Sequence, residues 1–175
     1  MKDVIQAILE NEVVKLQPLT TADFDALYAV AADPRIWEQH PEQDRWKKEV
    51  FRRFFNAAIA SKGAYSIIDK KTGEIAGSTR FYKAEGEGDT ILIGYTFFAV
   101  KYWGTGFNNI VKKLMLNHIF QYVEQVNFHV GEENFRSQQA IAKLGAIPAG
   151  KEIVTIAGEA PKVRLVYALN KSNWH

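Results

Sequence analysis

The chain has 175 residues, 47% of them hydrophobic and 24% charged, with a formal net charge of +2. That composition is ordinary for a soluble globular protein, and the length fits a single domain, residues 1–175, with a substantial core. So small a charge excludes nucleic-acid binding driven by electrostatics alone. The absence of cysteine excludes disulfides, thiolate metal sites and covalent cysteine chemistry. No apolar run approaches a membrane span and residues 1–10 lack a signal-peptide core, so a cytoplasmic protein without membrane or metal partners is expected.

In chain order, Val13, Val14, Lys15 and Leu16 read as a short strand ended by Gln17-Pro18. Thr20 or Thr21 then caps a helix with Asp23 in its first turn, where an acid suits the dipole. Phe24, Leu27, Tyr28 and Ala31 keep helical spacing until Asp33-Pro34 stops them. Pro41 with Glu42 starts a second helix, whose apolar side runs through Trp46, Val50, Phe54 and Ile59. Phe51, Phe55 and Ala58 widen that stripe.

Residues 64–69 and 74–83 are strand-like, joined by the hairpin turn Lys70-Lys71-Thr72-Gly73. A polar, glycine-rich turn over 84–89 leads into a strand over 90–100. Ile110, Val111, Leu114, Met115, Ile119 and Phe120 mark a long helix. Val126, Phe128 and Val130 alternate as a strand, residues 131–134 form a loop, and 137–144 form a helix stopped by Gly145. Strands over 146–155 and 162–169, around the turn 158–161, complete the chain. The basic pairs Lys47-Lys48, Arg52-Arg53 and Lys112-Lys113 read as solvated helix faces. The order predicts an α+β fold: a mixed, mostly antiparallel sheet flanked by helices, rather than repeated βαβ units.

The stretch Tyr102-Trp103-Gly104-Thr105-Gly106-Phe107-Asn108 joins a strand to a helix through a Gly-x-Gly turn. Such a turn aims several backbone N–H groups and the positive end of the helix dipole at one spot, which suits a pyrophosphate. A dinucleotide fingerprint would need a third glycine where Asn109 stands, and no Walker loop is present. Taken alone, a turn that merely caps a helix remains the plainest reading.

The wider pattern resembles the GNAT superfamily of acyl-CoA-dependent N-acetyltransferases, and within it the Rim type, which includes ribosomal-protein and other amino-terminal acetyltransferases. The family's R/Q-x-x-G-x-G/A motif stands here as Lys101-Tyr102-Trp103-Gly104-Thr105-Gly106, with Lys101 departing from Arg or Gln. N-x-x-S stands as Asn134-Phe135-Arg136-Ser137, followed by Leu144-Gly145. Val14 to Leu19, Asp33-Pro34-Arg35-Ile36-Trp37 and Gly73-Glu74-Ile75-Ala76-Gly77 also resemble that branch.

The resemblance implies splayed central strands and an acetyl-CoA cofactor. The pantetheine arm would lie against the backbone of Phe97, Phe98, Ala99 and Val100. The pyrophosphate would lie on the N–H groups of Trp103, Gly104, Thr105, Gly106, Phe107 and Asn108, with Lys112, Lys113 or Lys143 near the adenosine phosphate. It also implies that Asn134 binds the cofactor and that Ser137 hydrogen-bonds the departing thiolate, while both also suit the cap of the helix that begins there. For the base that deprotonates the amine, Glu132 and His129 stand beside a solvent-exposed turn and a packed sheet histidine as plainer readings. Arg80 and Tyr82 share one face of the strand before the glycine-rich turn, where the family meets its acceptor, and Trp37 and Trp46 would wall that pocket, with aromatic core as the ordinary explanation of both tryptophans. The acceptor would be a peptide or small-molecule amine, and a homodimer is compatible with the resemblance. The alternative is a non-catalytic acyl-CoA-binding sensor of the same fold. Between Gly94-Tyr95 and Tyr102-Trp103 the chain is one residue longer than the usual Rim-type strand, which predicts a β-bulge.

Overall fold

A computed structural model describes residues 1–84, 88–154 and 161–175. The elements are β1 (Leu9–Glu10), β2 (Val14–Pro18), α1 (Phe24–Ala31), α2 (Lys48–Ser61), β3 (Ala64–Asp69), β4 (Ile75–Tyr82), β5 (Ile91–Phe98), α3 (Phe107–Ile119), β6 (Gln125–Gly131), α4 (Phe135–Lys143), β7 (Ile147–Val154) and β8 (Lys162–Asn170). Residues 158–160 of the predicted turn and the tip of the glycine-rich turn before β5 lie outside the described residues.

Local chemistry places most of these boundaries. The Thr20 backbone N–H donates to Asp23 Oδ2 at 2.8 Å in a capping box, which opens a 3-10 turn running into α1. Gly73, with φ of +75°, supplies the left-handed turn between β3 and β4. Gly145, with φ of +91°, ends α4. The second helix begins at Lys48 rather than at Pro41-Glu42, because a separate 3-10 turn (Gln43–Trp46) intervenes. β1, only two residues long and paired with β2, carries too little pattern to be read from sequence.

The eight strands form one sheet in the order β1-β2-β3-β4-β5-β6-β8-β7. Every neighbouring pair is antiparallel except β5 and β6. The α1/α2 face buries Phe24, Leu27, Trp37, Phe51, Phe55 and Phe97 in one aromatic cluster. The opposite face buries Ile91, Ile93 and Phe98 of β5 against Phe107, Val111 and Met115 of α3. Burying each such side chain contributes about 1.5–3 kcal/mol.

Two irregularities in this sheet make the site. The predicted bulge is present: between Ser78↔Phe97 and Arg80↔Gly94, β5 carries one residue more than β4. Tyr95 absorbs the extra residue with φ of +52°, a left-handed conformation uncommon for an aromatic side chain. In addition, β5 and β6 pair only at Ile91↔Val126 and Leu92↔Asn127 and then part.

Candidate active site

Where β5 and β6 part, a cleft of about 830 Å³ opens. Its walls include Gly94–Phe98 of β5, Phe128–Gly131 of β6, the Gly-x-Gly turn and the inner side of α4. From Gly94 onward the β6-facing edge of β5 has no strand partner, so its backbone is open to an extended ligand that adds as a strand.

The cleft's far end is the turn into α3. Gly104 has φ of +69° and Gly106 φ of +82°. A Cβ built at either would meet nothing within 4 Å, so these positions form a cradle that a side chain would fill. Gly106 offers no side chain to cap α3; Thr105 Oγ1 accepts from the Phe107 N–H at 3.3 Å, which leaves the N–H groups that follow and the positive dipole end for a ligand. Asn108 Oδ1, at the cleft wall, is buried without a hydrogen-bond partner. The glycine cradle and the open N-terminal turn of the helix, both sources of backbone N–H donors, fit a pyrophosphate-bearing ligand. Lys101, at the departing motif position, turns away instead and pairs with Glu74 at 2.7 Å on the surface.

Asn134 is 6% exposed, and its Oδ1 accepts from the Ser137 N–H at 3.2 Å, capping α4. Both residues line the cleft. Capping fixes Ser137 in the first turn of α4 with its side chain at the cleft wall. Arg136 spans the entrance: its guanidinium carbon lies 3.8 Å from the Trp103 ring centroid, and Nη2 donates to the Ile36 carbonyl at 3.2 Å.

His129 and Glu132 part company. His129 lines the cleft on the sheet face of Tyr82, with ring centroids 6.4 Å apart. Glu132 opens to a neighbouring groove and pairs with Lys151 at 3.4 Å. Trp37 is fully buried, and its Nε1 donates to the Ala31 carbonyl at 2.8 Å, so it backs the wall through Phe97 rather than forming it. Tyr82 lines the cleft. Arg80 lies behind Tyr95, 4.2 Å from that ring's centroid.

Several wall residues escaped the sequence reading. Lys112 is only 5% exposed, not a solvated helix residue. Its Nζ donates to Thr96 Oγ1 at 2.5 Å and Thr79 Oγ1 at 3.1 Å, directly beneath the bulge. Burial pulls its ammonium down from 10.5 to about 7. The available signal was spacing: Leu116 and Phe120, four and eight residues on, place Lys112 on the buried stripe of α3. His40, just before the stretch read as the start of a helix, and Arg45, within it, also line the cleft. Burial, reinforced by the charges of Arg45 and Arg136, pulls the His40 imidazole down to about 3, which keeps it neutral.

Residues 14–147 match the acetyltransferase (GNAT) domain model. The fold superposes on a GCN5-related N-acetyltransferase from Brucella melitensis with a TM-score of 0.83 and 18% identity, covering 97% of this chain and 80% of that one. It superposes on the ribosomal-protein-S5-alanine acetyltransferase of Vibrio fischeri with a TM-score of 0.69 and 14% identity, covering 97% and 99%. The spermidine N-acetyltransferase of Vibrio cholerae, in complex with CoA and spermine, gives a TM-score of 0.69 and 15% identity, covering 93% and 98%. These identities speak for the fold, and the domain match over residues 14–147 establishes that the chain belongs to the GNAT acetyltransferase family.

Proposed function

We propose that this protein is an acetyl-CoA-dependent N-acetyltransferase that acetylates a primary amine by direct attack in a ternary complex. The observation that carries this reading is the cleft between β5 and β6, which ends on the Gly104/Gly106 cradle. The Tyr102-Trp103-Gly104-Thr105-Gly106 and Asn134 to Ser137 motifs favour the Rim-type branch.

Acetyl-CoA, when bound, supplies an acetyl thioester open to a neutral amine. Phe97 and Phe98 at the end of β5, with Ala99 and Val100 after it, would hold the pantetheine arm by their backbone, and the N–H groups from Trp103 to Asn108 would hold the pyrophosphate. In the transfer the amine gives up a proton, its C–N bond forms as the C–S bond breaks, and the thiolate ends as a thiol. A backbone N–H near Phe98, beyond the β5 bulge, would face the charge that develops on the carbonyl oxygen. The Ser137 hydroxyl donates to the departing sulfur. His129, on the acceptor face beside Tyr82, is better placed than Glu132 to take the amine proton, directly or through water.

Thiol release from acetyl-CoA in the presence of an amine panel tests the reading. Turnover that depends on an amine supports it. Acetyl-CoA that binds yet is never consumed with any amine would leave a binding domain instead.

A further inference from the structure

The cleft's charge is one-sided. Among the described residues that line it are Arg45, Lys112, Arg136, Lys143, Lys162 and Arg164, and no aspartate or glutamate. The cofactor's phosphates would account for Arg136 and Lys143 of α4, while Lys112 is tied to two hydroxyls beneath the bulge and Arg164 of β8 is paired with Glu152. The phosphates do not account for Arg45 and Arg80, which lie on the α1/α2 face, on the acceptor side of the Tyr95 bulge.

These two guanidinium groups share one aromatic support. Arg45 lies 4.6 Å from the Phe54 ring centroid and 5.5 Å from that of Trp37. Arg80 lies 5.7 Å from the Phe54 centroid and 4.2 Å from that of Tyr95. Both forks are therefore held in place before any ligand arrives. Glu42 occupies Arg45 Nε at 3.0 Å, leaving the terminal nitrogens of a side chain that reaches the cleft wall. Arg80 is 6% exposed, its Nε has no hydrogen-bond partner, and no carboxylate among the described residues pairs with it. Burial pulls Arg80 down to about 10, with Tyr95 and Tyr82 opposing the shift and the Arg45 charge adding a smaller push the same way as burial. Two like charges this near each other, one without a counter-ion, cost stability unless an anion completes the group.

We propose that the acceptor is a small amine that also carries a carboxylate, received by Arg45 with Arg80 behind it, its amine left at the Tyr95 bulge. This rests on the acetyl-transfer reading above and narrows its acceptor. A planar carboxylate matches a guanidinium fork. A polyamine would add positive charge to a wall that is already positive. The same field holds down the proton affinity of the bound amine, which favours the neutral, attacking form without an acidic residue nearby.

The test uses the twenty common amino acids and their carboxamides, with spermine as the polycation. Binding to protein saturated with coenzyme A is read by calorimetry, and transfer from acetyl-CoA is read by thiol release. At least one amino acid is expected to bind roughly 10- to 100-fold more tightly than its carboxamide. Arg45→Gln is expected to erase that ratio while leaving coenzyme A affinity unchanged. Carboxamides or spermine bound as well as the acids, or no amino acid bound at all, would overturn the proposal, as would an acid-to-amide ratio unchanged in Arg45→Gln. Selective binding without thiol release would keep the carboxylate site and refute the transfer reading.

Discussion

Lys112 Nζ lies 2.5 Å from the Thr96 hydroxyl, beneath the bulge of β5, and no carboxylate among the described residues balances its charge. Thr79 and Thr96 are themselves 2.9 Å apart, so one amine and two hydroxyls tie α3 to both strands that flank the bulge. The cluster ties the geometry of the bulge to the protonation state of one residue.

That state shapes stability. The Lys112 amine titrates near 7 in the folded protein against an ordinary 10.5, so between those values the unfolded chain binds more protons. Stability therefore rises with pH across that window, by at most about 1.4 kcal/mol per pH unit, and the full penalty stands below 7. Lys112→Met is expected to raise the thermal midpoint most near pH 6, with a gain that shrinks toward pH 10. Midpoints measured from pH 6 to 10 check this, and a gain independent of pH would contradict it.

His40 acts in the acid range. Its folded value of about 3 lies below its ordinary 6.5, so the unfolded chain binds more protons between the two and stability falls as pH drops from 6.5. The imidazole packs on Trp37 with centroids 5.0 Å apart, under the charges of Arg45 and Arg136. His40→Phe is expected to flatten the fall in midpoint between pH 7 and pH 5. An equally steep fall in the variant would place the acid sensitivity elsewhere.

Two glycine substitutions should separate fold from cofactor. A Cβ at Gly77 would stand 2.0 Å from the Phe97 carbonyl oxygen, so Gly77→Ala must push β4 away from β5, at a cost of about 1–3 kcal/mol or more. A Cβ at Gly104 meets nothing. Gly104→Val is therefore expected to lose only about 1–2 kcal/mol to its left-handed backbone while coenzyme A affinity falls at least about tenfold. Denaturant unfolding and calorimetry on each variant check the contrast.

Ser137→Ala is expected to lower kcat by roughly tenfold, the worth of a hydrogen bond to a charged leaving atom, with acetyl-CoA affinity largely kept. The Ser137 N–H still donates to Asn134 in that variant, so the helix cap survives. Steady-state kinetics beside calorimetric affinity tell the two roles apart.

The sequence was most legible where local chemistry decides the outcome. Gly73 and Gly145 marked turns that need positive φ, the alternation of Val126, Phe128 and Val130 marked β6, and the extra residue before Tyr102 marked the bulge at Tyr95. The glycine cradle was legible for the same reason, since it is a backbone device written in Gly104 and Gly106. Elements set by tertiary contact were not. Trp37 looks alike from sequence whether it walls a pocket or backs one, and only its bond to Ala31 decides. Lys112 read as surface because lysine usually is, although its spacing with Leu116 pointed inward. Arg45 and Arg80 meet across 35 residues of chain on the ring of Phe54, a juxtaposition that only the packing of α2 on the sheet creates.

The central claim is that the cleft between β5 and β6 holds acetyl-CoA by both its pyrophosphate and its arm. Calorimetric titration of acetyl-CoA against the purified protein, with adenosine diphosphate as the comparison, tests it most directly. Clear binding of acetyl-CoA, much weaker binding of the diphosphate and loss of both in Gly104→Val are the predicted results. Equal affinity for the two would leave the strand edge without a role, and no binding of either would contradict the account.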